Sequence, residues 1–160
     1  MNIAVKRTDT PKLKPEGGKN LGFGKCFTDH MFVMDYDVNH GWHNPQIVPY
    51  APITVDPSCA ALHYGQTIFE GLKAYRAPGG KILLFRPEKN MERVNISNER
   101  LCIPPVDVDF CVKALKIFVD VERDWVPSEE GTSLYLRPFI IAADSFLGVH
   151  PSYTYKFFII

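Results

Sequence analysis

The sequence predicts an α+β domain with a largely antiparallel sheet and two main helices. Three observations carry this. Leu72–Arg76 and Lys81–Phe85 alternate as strands and are joined by Ala77-Pro78-Gly79-Gly80, a hairpin with a glycine-containing loop. Two helical segments follow one another, from Pro87 and from just after Asp107. The strands gather around these helices without regular βαβ alternation, which argues against a parallel doubly wound sheet.

Taken in chain order, residues 1–20 are polar and carry Pro11, Pro15 and the pair Gly17-Gly18. They read as a loosely held arm preceding a domain over 21–160. His30–Tyr36 is a strand, and Asn44–Pro57 is extended and punctuated by prolines. In the stretch Leu62–Arg76, LHYGQTIFEGLKAYR, Tyr64-Gly65 and Glu70-Gly71 bend the chain where aromatic residues converge. Glycine at such a bend lets another backbone or a ligand come close, although two packed core aromatics would use the same pattern.

Pro87 stands where a first helical residue belongs, with Glu88 in the first turn, and the helix runs to about Leu101 before Pro104-Pro105. Asp107 caps the second helix, in which Cys111, Ala114, Leu115, Phe118, Val121 and Trp125 recur at spacings of three and four. Thr132–Ala143 and Tyr153–Ile160 are the last strands. The chain stops inside the apolar run Tyr155–Ile160, so a longer parent protein is expected.

Composition narrows the function. Lysine plus arginine balance aspartate plus glutamate at 18 each, which gives no field for nucleic acid or an anionic membrane surface. No apolar run approaches the length of a membrane span, and the N-terminus lacks the apolar core of a signal peptide. Cys26, Cys59, Cys102 and Cys111 form no CxxC pair and read as buried free thiols of a reducing cytoplasm. His40 and His43 lie three apart on a loop, with no cysteine or carboxylate at ligand spacing, so no metal site is expected.

Ser133, Tyr135 and Arg137 share one strand face, since side chains two apart stand roughly 6.5 to 7 Å apart on the same side. A guanidinium beside a tyrosine offers a planar fork to a carboxylate, though an exposed arginine on a solvent face would look the same. Pro138 cannot donate to a ladder, which places this part of the strand at an edge or bulge. On the first helix Asn90, Arg93, Ser97 and Arg100 form a polar stripe, and Arg93 gains meaning only if that stripe meets an anion such as a phosphate.

Four segments, LGFGKCFTDHMF, LHYGQTIFEGLKAYR, LFRPEKNMERVNISNERLCIPP and SLYLRPFIIAADSFLGV, together resemble the N-terminal small domain of branched-chain amino acid aminotransferases. These are class IV pyridoxal-phosphate enzymes of the D-amino-acid-aminotransferase-like fold. The resemblance runs in order from Leu21 onward and implies a homodimer. By that resemblance Arg93 contacts the cofactor phosphate, and Phe23, Tyr64 and Phe69 are walls of the substrate side-chain pocket. Tyr135 and Arg137 line the same pocket, where the arginine admits the side-chain carboxylate of glutamate. Leu147 and Val149 match an interdomain loop that closes the neighbouring subunit's pocket.

The implied reaction moves an amino group from leucine, isoleucine or valine to 2-oxoglutarate. Apolar walls of modest size suit all three donors, since each buried methylene is worth roughly 0.8 kcal/mol and size discrimination is weak. The family's Schiff-base lysine, the carboxylate facing the pyridine nitrogen and most of the phosphate cup belong to its C-terminal domain. No catalytic residue is therefore assigned here, and the 160-residue chain alone is expected to be inactive and not to hold the cofactor. Two alternatives remain: another class IV enzyme (a D-amino-acid aminotransferase or aminodeoxychorismate lyase), or a non-catalytic α+β binding or dimerisation module.

Overall fold

Two sheets share one bent ribbon, and the bend is what positions the site. The computed structural model describes residues 1–15 and 22–160. Its strands are β1 (Ala4–Val5), β2 (His30–Asp37), β3 (Gly41–Pro49), β4 (Thr67–Phe69), β5 (Leu72–Arg76), β6 (Ile82–Leu84), β7 (Leu134–Leu136), β8 (Pro138–Ala142) and β9 (Thr154–Ile159). The helices are α1 (Ala60–Tyr64), α2 (Pro87–Arg100) and α3 (Val108–Val121), with a short 3₁₀ turn at Arg123–Trp125. One sheet has the order β1-β3-β2-β9-β8-β4 and the other β6-β5-β7. β1 runs parallel to β3 and the other pairs are antiparallel.

The expected strand over Thr132–Ala143 is in fact two strands in different sheets. β7 pairs with β5, while β8 pairs with β4 and β9. Pro138 opens β8, a strand position that tolerates its missing N–H. The opposite strand switches sheets beside it: β4 pairs with β8, Glu70 donates its N–H to Pro138 O at 2.8 Å, and Leu72 then pairs with Leu136. Arg137 exchanges backbone bonds with Ile160 at 2.7 and 3.1 Å, so the crossing leaves that backbone satisfied.

The helices form where their end signals stand. Asp107 accepts the Phe110 N–H at 2.9 Å, and Cys111, Ala114, Leu115 and Phe118 are buried. Val121 is only half-buried and Trp125 lies in the 3₁₀ turn. On α2, Met91, Val94 and Asn98 are buried, but Leu101 is exposed at the helix end. Asn95 clasps Val106 through two bonds of 2.9 and 2.8 Å, which returns the chain into α3. Phe32, Met34, Phe157 and Ile159 fill the centre between the β2–β9 face and the helices.

Three further features differ from the sequence reading. The N-terminal arm is not loose over its first residues: β1 adds to β3, Thr8 N–H reaches His30 Nε2 at 2.9 Å, and Lys12 N–H reaches Asp29 at 2.8 Å. Its polarity concealed backbone donors that find buried acceptors. His30, with Nε2 accepting, donates from Nδ1 to buried Glu122, which also takes the Asp29 N–H. Residues 16–20 of the arm, and Leu21, lie outside the described residues.

Secondly, α1 went unpredicted, because Cys59 provides no side-chain cap and the helix is only one turn. It ends at Gly65 in the left-handed region (φ 64°). Thirdly, only two of the four cysteines are buried. Cys59 gives its thiol to Ala142 O, and burial, reinforced by Asp107, pushes the Cys111 thiol up to about 12. Cys26 and Cys102 are exposed. Alkylation of the folded protein followed by peptide mapping is therefore expected to mark Cys26 and Cys102 and to spare Cys59 and Cys111 until unfolding. Rapid labelling of Cys111 in the native state would contradict this packing.

Candidate functional site

The sheet crossover gathers four of the residues named from sequence. Tyr135, on β7, and Arg137, just past it, project to one side as the alternation requires, and Arg137 donates Nη2–H and Nε–H to Tyr135 Oη at 2.8 and 3.2 Å. The Phe23 ring meets Tyr135 edge-on with centroids 4.8 Å apart. The Arg137 guanidinium lies 4.5 Å from the Phe69 centroid and 5.3 Å from that of Tyr135. An arginine held between two aromatic faces keeps its charge while losing rotamer freedom, which prepares it for an anionic partner.

Phe23, Tyr135 and Arg137 also line a cavity of about 750 Å³. Its other walls include Lys14, Phe27, Trp125 and Lys73, the cross-strand partner of Tyr135. That volume suits a small organic ligand. Trp125 is fixed by donating to Asp29 at 2.9 Å, and Lys14 stands 5.6 Å over its ring.

Gly71 makes room for the Tyr135 side chain at the crossover. A Cβ there would overlap the Tyr135 hydroxyl and lie 2.9 Å from Cζ, so Tyr135 can occupy its place only over a bare backbone.

Arg93 does not line this cavity. Its Nε and Nη2 each donate to the Glu70 carboxylate at 2.6 Å, a fork-to-fork pair on the far side of the crossover from Tyr135's ring. Asn90, one turn earlier on α2, donates to Gly71 O at 3.2 Å. The Arg93 side chain remains 65% exposed, and a guanidinium has five N–H groups, so donors remain for an external anion. Burial pushes the Glu70 carboxyl up, but the Arg93 bonds, the Gly71 N–H and the arginine's charge outweigh it and hold the group below its ordinary range.

Tyr64, Leu147 and Val149 are not part of this cluster. Tyr64 is exposed at the end of α1, its ring 6.2 Å from that of His63. Leu147 and Val149 are exposed on the loop between β8 and β9. That loop is pinned at its base by Asp144, which accepts the Tyr153 and Thr154 N–H groups at 2.7 Å each. Sequence reasoning missed Glu70 as a functional side chain, because a glutamate before glycine reads as turn chemistry. The signal was an acid set between apolar Phe69 and Leu72, where only a paired carboxylate can be buried.

No protein-family model matches the chain. Among solved structures, its fold is that of branched-chain amino acid aminotransferases. The enzyme of that name from Escherichia coli matches at 25% identity and a TM-score of 0.61, over 82% of this chain and 39% of that one. The branched-chain amino acid aminotransferase of the thermophilic archaeon Thermoproteus uzoniensis, solved with norvaline, matches at 22% identity and a TM-score of 0.61, over 82% and 40%.

The sequence relatives are more specific. Branched-chain-amino-acid aminotransferase 2 of Bacillus subtilis is 56% identical over 158 residues, 99% of this chain and 43% of its own length. The branched-chain-amino-acid aminotransferase of Mycolicibacterium smegmatis is 51% identical over 142 residues, 88% of this chain and 39% of its own. Across its whole length the chain is related to branched-chain amino acid aminotransferases. It spans less than half the length of these curated relatives.

Proposed function

We propose that the protein containing this chain is a pyridoxal-phosphate-dependent branched-chain amino acid aminotransferase that moves the amino group of leucine, isoleucine or valine to 2-oxoglutarate. The observation that carries the reading is the cluster of Phe23, Phe69, Tyr135 and Arg137 at the sheet crossover. It joins aromatic surface for an aliphatic side chain to one cation for a carboxylate. That is the combination needed by a site whose two donors are a branched hydrocarbon and glutamate.

The residues present fit the cofactor's phosphate: Arg93 is exposed, keeps uncommitted N–H donors and is oriented by a buried carboxylate. When bound, pyridoxal phosphate supplies the electron sink for amino transfer. The chain's own residues bind and orient. Arg93 takes the phosphate, Phe23 and Tyr135 exclude water from the aliphatic chain, and Arg137 receives the glutamate carboxylate from its seat between two rings.

Tyr64, exposed here, would reach the pocket as a further wall beside the cofactor-bearing lysine, and Leu147 and Val149 would close the site of a second subunit in a homodimer. Their exposure is compatible with surfaces that another domain or subunit covers. The lysine that anchors the cofactor is assigned to residues other than these 160. No helix among the described residues is long and apolar enough to cross a membrane, and we place the protein in the cytoplasm.

The test is a donor comparison on the protein at its natural full length, with 2-oxoglutarate as acceptor. Leucine, isoleucine and valine are expected to yield glutamate and D-alanine is not. Preference for D-alanine would replace this reading with another class IV activity, and glutamate formation from neither would leave a binding module.

A further inference from the structure

We propose that Glu70 is the positioning residue for Arg93, fixing its guanidinium so that its free Nη1–Nη2 edge is presented to the cofactor's phosphate ester. This rests on the reading above that Arg93 takes that phosphate. Glu70 is 6% exposed and sits on the sheet crossover, between Phe69 at the end of β4 and Gly71. Its carboxylate accepts three N–H groups: Arg93 Nε and Nη2 at 2.6 Å each, and Gly71 N at 2.7 Å.

Because Nε and one Nη2 proton are committed, the planar guanidinium cannot rotate without breaking both bonds. Of its three remaining protons, one on Nη1 and one on Nη2 point along the free Nη1–Nη2 edge, and the third, on Nη1, points back toward the side-chain stem. An unpaired arginine with a 65% exposed side chain would instead sample many rotamers and lose that freedom on binding.

The same two-residue crossover also serves the substrate side. Gly71 leaves room for the Tyr135 hydroxyl, and Gly71 O receives Asn90 from α2. Glu70 and Gly71 thus set the cation of the phosphate side and the tyrosine of the substrate side from adjacent positions on one backbone.

There is a competing physical effect. Glu70 is itself an anion beside the proposed phosphate site, so it could weaken phosphate binding by repulsion and by occupying donors. The sign of its effect decides between positioning and competition.

The experiment measures dissociation constants of pyridoxal 5'-phosphate and of pyridoxal, which lacks the phosphate, by absorbance titration of the full-length protein and its Glu70→Gln, Arg93→Gln and double variants. Glu70→Gln is expected to weaken pyridoxal phosphate by about tenfold, as loss of a supporting partner typically does. Pyridoxal is expected to change by less than about twofold, since it has no phosphate for Arg93 to meet. The double variant is expected to bind no worse than Arg93→Gln, because Glu70 acts through Arg93.

Equal weakening of both ligands would make Glu70 merely structural and overturn the proposal, as would unchanged or tighter pyridoxal phosphate binding by Glu70→Gln. If Arg93→Gln loses phosphate selectivity while Glu70→Gln keeps it, the proposal fails and the reading of Arg93 stands. If Arg93→Gln keeps that selectivity, the reading of Arg93 fails and takes the proposal with it. Should Glu70→Gln not fold, Glu70→Asp, which retains the charge but withdraws it by one methylene, is read in the same way.

Discussion

Replacing Gly71 with valine is expected to lower kcat/KM for leucine by about a hundredfold, the scale of loss for a 1 Å misplacement at a reacting site. The physical cause is steric. Gly71 is not in the left-handed region, so its backbone would accept a side chain. What lies over it would not: the added Cβ overlaps the Tyr135 hydroxyl and stands 2.9 Å from Cζ. Tyr135 is half-buried and can swing away, so the fold survives. In swinging, it loses the bonds from Arg137 and the edge contact with Phe23, and the cluster comes apart. Steady-state kinetics with leucine, beside a thermal melt, separates the two effects. A valine variant with normal kcat/KM would mean that Tyr135's position does not matter to the reaction.

The largest expected loss of stability is at Phe157. It is completely buried on β9 and pairs in register with Met34 on one side and Ile140 on the other. Its ring meets Phe32 and Trp42 edge-on at 5.8 and 6.2 Å. Trp42 is itself tied to the loop between α2 and α3 by its indole N–H on Pro105 O, so it cannot close the gap freely. Phe157→Ala should therefore cost about 3–5 kcal/mol, combining lost transfer energy with an unfilled cavity. Urea unfolding of the purified variant measures this. A loss under about 1 kcal/mol would show that the sheet and helices repack without it.

The parts of the fold with strong local signals were legible in the sequence. The Ala77–Gly80 loop, Pro87 at a helix start and Asp107 as a cap each determine a conformation over a few residues, and each element stands where those residues put it. What escaped depends on distant partners. Pro138 marked an irregularity, but the break between β7 and β8 is set by Ile160 bonding Arg137 and by Glu70 bonding Pro138, and local alternation runs straight through it. The N-terminal arm is held by backbone donors whose acceptors, His30 and Asp29, lie at the start of β2.

The candidate site divides in the same way. Tyr135 and Arg137 could be placed together because strand side chains repeat every two residues, and they bond to one another. Phe23 and Phe69 came from the family resemblance rather than from any periodicity, and both lie against that pair. The Glu70–Arg93 pair spans 23 residues and two elements, so no spacing rule reaches it.

On our proposal, one crossover carries both a phosphate-side cation and a substrate-side aromatic pocket. This is tested most directly by a crystal structure of the full-length protein with pyridoxal phosphate and a branched-chain substrate analogue. The predicted result has a phosphate oxygen within hydrogen-bond reach of Arg93 while Glu70 still holds the other edge of the guanidinium, and the aliphatic chain against Phe23 and Tyr135. A phosphate seated away from Arg93, or an aliphatic chain that touches neither aromatic ring, would contradict it.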